Sequence, residues 1–332
     1  MPLISQVGRR HTKVRITLFL ITGVLWLGVV IHLFPVWFSF ITSIKSTWET
    51  FRVPPTLWAI EPTTLAYRAI LLYPEWVPGS SGLLSAWVYL KNSFILCGGV
   101  IALQIPITAL AAYSVSKLHT PTLSRLLFLF FISTLLIPYQ ISFVPLFLLL
   151  KNFPFAFKSI PNIPFTNISF PHYNFLNTYW AVIFPALFSG FNFLLLKGHF
   201  DSIPDSLINA ARLDGASEVG IFSRIILPLS KPVFAVVAYF TFSGVWNQFM
   251  WPLVVLTEEK MLPFSIYMYR LQSWVGSLGG EAGRLRSMDL ELPPMDWNAV
   301  MAASIIQSIP VFIAFIIFRE QLMKGIKLRG FK

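Results

Sequence analysis

Six long apolar runs, separated by polar or proline-rich stretches, set the pattern of this chain. They lie near Ile16 to Ile44, Ser93 to Val115, Leu123 to Leu150, Tyr179 to Leu196, Pro232 to Leu256 and Ala299 to Phe318. A helix rising about 1.5 Å per residue crosses about 30 Å of hydrocarbon in about 20 residues, so each run predicts a transmembrane helix. Lipid offers the backbone no hydrogen-bond partner, and a helix satisfies its own. The predicted fold is an all-α integral membrane protein of six transmembrane helices, with one domain covering residues 1–332. The first run follows Arg9, Arg10, Lys13 and Arg15 but is about twice as long as a signal-peptide core and lacks a clear small-residue cleavage site. It reads as an uncleaved anchor.

The intervening stretches read differently from one another. Ser43 to Asn92 carries Trp48, Trp58, Trp76 and Trp87 among prolines, the composition of a loop at headgroup level. Pro138 and Pro145 interrupt the third run and predict a kink there. Lys151 to Asn177, with Pro154, Pro161, Pro164 and Pro171, predicts an irregular outer loop. Thr257 to Asp296, with Gly276, Gly279, Gly280 and Gly283 and a charged run from Glu281 to Glu291, predicts a flexible, solvated one.

The segment Ser202 to Pro232, SIPDSLINAARLDGASEVGIFSRIILPLSKP, breaks the pattern. It is polar and helix-forming, yet it sits between two spans. Ser202 is a capping residue type, Pro204 suits a first turn, and Asp205 places negative charge at the positive end of a helix dipole. The pattern predicts a helix from Ile203 to Leu213 with Ile203, Leu207 and Ala210 or Ala211 on one face. Asp214 and Gly215 end or bend it, and a second helix from Ala216 stops before Pro228. Periodicity alone leaves two readings open: a docking element, or an amphipathic cover lying on the helices or on lipid.

Composition agrees with the membrane reading, at 55% hydrophobic, 12% charged and a mean hydropathy of +0.69. A net charge of +11 would point a soluble protein towards nucleic acid, but here the division of charge between the two faces matters more. Six spans put both termini on one face together with the 202–232 segment. That face holds fifteen of the 25 basic residues and five of the 14 acidic ones, leaving ten and nine for the other. Basic residues collect in the cytoplasm, so both termini and the segment are expected there.

Several chemistries find no residues to support them. Cys97 is alone within a span, and the histidines at 11, 32, 119, 172 and 199 lack metal-ligand spacing. The sequence has no Gly-rich phosphate cradle ending in Lys and Ser or Thr, and no nucleophile–base pair or carboxylate dyad in a recognisable setting. No catalytic residue, metal or cofactor is assigned. Amides inside spans are better candidates for function, because a buried amide without a partner costs a few kcal/mol. Gln104, Gln140, Asn192, Asn247, Gln248 and Gln307 form that set. Interhelical bonding accounts for such residues in general. For a translocation path the candidates are Gln140, Asn247, Gln248 and Gln307, with Asn247 and Gln248 foremost: amides bond sugar hydroxyls, and the flanking Trp246 and Trp251 could stack on sugar rings.

In residue types and order, 202–232 resembles the cytoplasmic coupling loop of permease subunits in binding-protein-dependent ABC importers, with its Glu-Ala-Ala and Gly signature. Ala210, Ala211, Asp214, Gly215, Ala216, Ile226, Leu227, Pro228 and Pro232 fall where that pattern asks for them. LIPYQISFVPLFLLL at 136–150, FLNTYWAVIFPALF at 175–188, SGVWNQFMWPL at 243–253 and the tail containing Gly325 are similar to the carbohydrate-uptake branch, the maltose-type second permease.

The resemblance implies a cytoplasmic coupling helix-turn-helix between the fourth and fifth spans, with Asp205, Asn209, Ala210, Ala211, Asp214, Gly215, Ala216 and Ser217 meeting an ATPase. It further implies a sugar importer in a bacterial-type inner membrane. Its other parts would be a second, different permease, an ATPase dimer that uses ATP, and an extracytoplasmic solute-binding protein. Asn209 departs from the usual Glu and offers a neutral hydrogen bond instead of a charged one. The stretches 151–177 and 276–296 look like insertions. The residues themselves leave open an ion-driven carrier, which would want an ionisable group deep in a span, and a membrane-embedded enzyme, which would want clustered His or acidic residues.

Overall fold

A computed structural model of the chain describes residues 12–50, 52–73, 84–153, 173–277 and 296–327. The charged run 281–291 and most of the 151–177 stretch lie outside the described residues. The chain divides into two compact units, Met1–Gly79 with Leu271–Ile306, and Ser80–Arg270 with Gln307–Lys332.

The described residues are helical almost throughout. In chain order the helices are α1 Thr12–Ser43, α2 Thr47–Thr50, α3 Leu65–Leu71, α4 Ala86–Leu118, α5 Pro121–Ser133, α6 Tyr139–Lys151, α7 Trp180–Ala186 and α8 Gly190–Asp201. They continue with α9 Asp205–Leu213, α10 Glu218–Leu229, α11 Lys231–Asn247, α12 Met250–Val255, α13 Phe264–Ser277 and α14 Trp297–Lys327. Three of them, α1, α4 and α14, contain uninterrupted stretches long and apolar enough to cross a membrane. The remaining apolar runs are broken. α7 and α8 of the fourth run meet at 43°, α5 and α6 of the third are two shorter apolar helices, and the fifth is divided between α11 and α12, with α11 leaving α10 of the 202–232 segment at 80°.

Each break follows from the sequence. Pro138 caps α6 from outside it, so the third run splits before Tyr139 instead of kinking in mid-helix. Ser189 accepts a hydrogen bond from the Asn192 N–H and opens α8, three residues after α7 ends at Ala186. In the fifth run Gln248 takes an extended conformation after α11, and α12 begins only at Met250. The solvated loop expected at 257–296 needs correction at its start: Phe264–Ser277 is a helix that buries Phe264, Ile266, Tyr267, Leu271 and Val275. Spacing of apolar residues at i, i+2, i+3 and i+7 produced that buried face, and the neighbouring glycines masked it.

In the second unit α4 packs against α8 and α11. Ala109 and Ala112 are small enough to admit Phe193, Leu196 and Phe200 of α8 and Val237 of α11. Higher on α4, the Gln104 side chain donates to the Ala186 carbonyl at 2.6 Å and accepts from Asn192 Nδ2 at 2.9 Å and Thr241 Oγ1 at 2.8 Å. Asn192 Nδ2 also donates to Thr241 Oγ1 at 2.9 Å. All three side chains are buried, so each amide and hydroxyl replaces lost water with a protein partner. Gln104 and Asn192 thus serve the interhelical role; Thr241 completes the node.

At the other end of α4, Asn92 donates to the Lys260 and Leu262 carbonyls, both at 2.9 Å, and Ser93 Oγ accepts from the Phe264 N–H at 2.8 Å. Tyr89 donates to Glu259, which also binds Arg270. In the first unit, Asn298 ties α14 to the loop after α1 through the Lys45 carbonyl at 3.2 Å. Buried Glu49 there holds the Thr56 hydroxyl and the Ile60 N–H.

Candidate coupling site

The elbow of the 202–232 segment is built by the backbone. α9 ends with the Gly215 N–H bonded to the Arg212 carbonyl and the Ala216 N–H to the Ala211 carbonyl, both at 3.0 Å. This is the pairing of a Schellman closure, and it requires a left-handed residue after the cap. Gly215 supplies it at φ +80°. Ser217 then opens α10, its Oγ accepting from the Gly220 N–H at 3.2 Å.

The helix limits differ from those predicted. α9 starts at Asp205, because Pro204 sits at ψ 131° and Ser202 donates its hydroxyl back to the His199 carbonyl of α8. α10 continues one residue past Pro228, to Leu229. A wide five-residue turn at Phe222–Ile226 precedes the proline and accommodates its missing N–H.

Burial splits this segment into two faces. Ile203, Ile208, Ile221 and Ile226 join the core with Tyr113 and Val115 of α4. Ala210, Asn209, Asp214, Gly215 and Ala216 are exposed, and Ala211 is half-buried. Leu213 and Val219 flank the elbow at 89% and 79% exposure. Of the residues predicted to share one face, Ile203 is buried while Leu207 and Ala210 are exposed, and Ile208 is the α9 residue that enters the core.

Charged groups brace the elbow. Arg212 Nε donates to Glu218 Oε1 at 2.7 Å, Nη1 to Asn209 Oδ1 at 3.3 Å and Nη2 to the Lys117 carbonyl at 3.1 Å. Tyr113 donates its phenol to Glu218 Oε2 at 2.7 Å. Lys117 Nζ reaches Asp205 Oδ1 at 2.6 Å and the Ile203 carbonyl at 2.8 Å, with the lysine side chain 5% exposed and the aspartate 77%. The hydrogen bond and charge of Lys117 hold the Asp205 carboxyl below its ordinary value. Arg212, then Tyr113, do the same for Glu218, while Glu218 raises Arg212. Asn209 therefore serves Arg212 as a neutral acceptor. Tyr113, Lys117, Arg212 and Glu218 were not singled out from sequence; the one available sign was Tyr113 and Lys117 four residues apart at a helix end, on one face.

A model of the binding-protein-dependent transport system inner membrane component family matches residues 104–327. The chain belongs to that family. Its members are transport components, not enzymes. The family member shares 27% identity over 302 residues with the sn-glycerol-3-phosphate transport system permease protein UgpE of Salmonella typhi, covering 90% of this chain and 92% of the relative. The corresponding protein of Yersinia enterocolitica is 25% identical over 300 residues, with the same coverage. Among solved structures, a bacterial ABC transporter involved in the import of the acidic polysaccharide alginate shares the fold at a TM-score of 0.71 and 21% identity, covering 96% of this chain and 99% of that one.

The path candidates are not gathered into one cluster by contacts of their own. Gln140 is exposed in the first turn of α6, and Asn247 is exposed at the end of α11 with Nδ2 turned back to the Ser243 carbonyl at 2.9 Å. Gln248 occupies the break and its carbonyl accepts from Ser265 at 2.8 Å. Gln307 offers its carbonyl to Trp246 Nε1 at 2.9 Å. The indoles need correction as sugar platforms. Trp246 and Trp251 are 2% and 1% exposed, and Trp251 Nε1 is committed to the Ala181 carbonyl. They pack, with Phe143 edge-on to Trp251 at 5.0 Å.

Proposed function

We propose that this chain is one of two different permeases in an ATP-driven importer of a sugar or sugar-like solute. It would lie in a bacterial-type inner membrane, with six spans and both termini cytoplasmic. An ATPase dimer grips the 202–232 segment from below, and an extracytoplasmic binding protein delivers the solute. The observation that carries this reading is the braced elbow at Gly215 with Leu213 and Val219 bare on either side of it. A partner that covers those side chains gains about 25 cal/mol for each Å² of apolar surface removed from water. The family membership and the solutes named for its relatives support the same reading.

In mechanism, nucleotide closes the ATPase dimer and displaces α9 and α10 together, because the Schellman closure and the Arg212–Glu218 pair make them one body. α8 and α11 are joined to that body by short connections, so the displacement tilts them. The breaks at 187–189 and 248–249 give the spans places to bend, and Gln140, Asn247, Gln248 and Gln307 offer amides to solute hydroxyls along the opened path. Interrupted helices near a path are a common way of presenting backbone groups to a solute.

The test is purification from detergent with the neighbouring subunits co-expressed, followed by uptake in vesicles. Retention of an ATPase and uptake that requires ATP are expected. Uptake by the chain alone, driven by an ion gradient, would replace this reading with that of a secondary carrier.

A further inference from the structure

Three side chains in the last turns of α4 each hold a carboxylate of another helix. Tyr113 holds Glu218 at 2.7 Å, Ser116 holds Asp201 at 2.6 Å, and Lys117 holds Asp205 at 2.6 Å. Arg212 returns a bond to the Lys117 carbonyl at 3.1 Å. The last turn of α4, Ser114–Leu118, is a wide one, a form that recurs at functional sites in helices. α4 is not adjacent in sequence to the coupling segment, so no chain connection explains this grip.

We infer that the second span is a direct output of the coupling segment, with Tyr113 and Lys117 as its positioning residues. This rests on the importer reading above. Displacement of α9 and α10 pulls α4 through these bonds and through the shared core of Ala109, Ala112 and Val115 with Ile203, Ile208, Ile221 and Ile226. Gln104 lies nine residues up the same helix, about 13 Å at 1.5 Å per residue. The buried Gln104–Asn192–Thr241 node therefore receives the motion from α4 as well as from α8 and α11. Movement of α8 and α11 alone would shear that node; a driven α4 moves its third member in step.

The experiment uses the assembled transporter in vesicles and reads ATP hydrolysis and solute uptake in one preparation. Tyr113→Phe combined with Lys117→Met is expected to keep the ATPase bound and hydrolysing while uptake per ATP falls about tenfold, within the range of ordinary coupling free energies. Lys117→Arg, which keeps both charge and donors, should retain coupling. Hydrogen exchange across residues 104–118, with and without ATP, gives a readout independent of uptake: the wild type responds to nucleotide and Tyr113→Phe does not. An unchanged uptake ratio together with an unchanged exchange response overturns the inference and leaves the importer reading standing. A wild-type chain that never retains an ATPase overturns both.

Discussion

Arg212 and Glu218 meet across the Gly215 elbow at 2.7 Å, Nε to Oε1. One residue closes α9 and the other opens α10, so this pair fixes the angle between the two short helices. Both side chains are partly exposed, which limits what the pair adds to stability; its contribution is to geometry.

The pH dependence of the brace follows from its carboxylates. Glu218 and Asp205 have folded pKa values depressed below their ordinary ones, by Arg212 with Tyr113 and by Lys117 respectively. A depressed carboxyl contributes stability that is complete above the unfolded pKa, about 4, and is lost as pH falls through the lower folded value. Hydrogen exchange of residues 205–229, corrected for intrinsic rate, should be flat from about pH 8 to 5 and rise below about 4. A transition between about pH 6 and 7 would show that these carboxylates do not control the segment.

At Gly215 the space around a new Cβ is open, so the cost of substitution lies in the backbone alone. A left-handed conformation costs a non-glycine residue about 1–2 kcal/mol, least for Asn. Gly215→Asn should support near-normal uptake. Gly215→Val should insert and assemble yet couple ATP hydrolysis to uptake poorly. Comparing uptake per ATP for the two variants checks this.

Gly190 presents the opposite case, because a Cβ there would meet Thr134 Oγ1 at 2.5 Å and Leu135 Cγ at 3.0 Å. That contact seats the break between α5 and α6 against the start of α8. Gly190→Ala should lower stability by about 1–3 kcal/mol through overpacking. Thr134→Ala should recover part of the loss in the double variant, read as thermal denaturation in detergent.

The buried node should respond non-additively. Asn192→Leu removes two bonds and leaves the Gln104 carbonyl and the Thr241 hydroxyl short of a partner, a loss of about 1–2 kcal/mol in a membrane setting. Gln104→Leu added to it should cost less than the sum of the two single changes, since the Asn192–Gln104 bond they share is lost only once. Additive losses in Tm would show that the three groups act separately.

Hydrophobic runs made the helical class legible, because 20-residue apolar stretches have one structural outcome in lipid. The Gly215 elbow was legible for a similar reason: only certain residue types tolerate its backbone. What the runs concealed were their interruptions at 187–189 and 248–249, where the local sign is a polar residue, Ser189 or Gln248, inside an otherwise apolar run. The brace from α4 was hidden as well. Tyr113 and Glu218 stand 105 residues apart, and no local pattern announces so distant a pairing. Trp246 and Trp251 misled because an indole suits a sugar face and a packed core equally well.

An ATPase holding the elbow from the cytoplasm is what the importer mechanism requires above all. Cys97, the one cysteine, is buried. In a Cys97→Ala background, Val219→Cys places a thiol beside the elbow for crosslinking in inverted vesicles of the assembled transporter. A nucleotide-sensitive crosslink to the ATPase is expected, with no labelling by an impermeant reagent from the outer face. Labelling from outside, or full accessibility from inside with no crosslink in any nucleotide state, would contradict it.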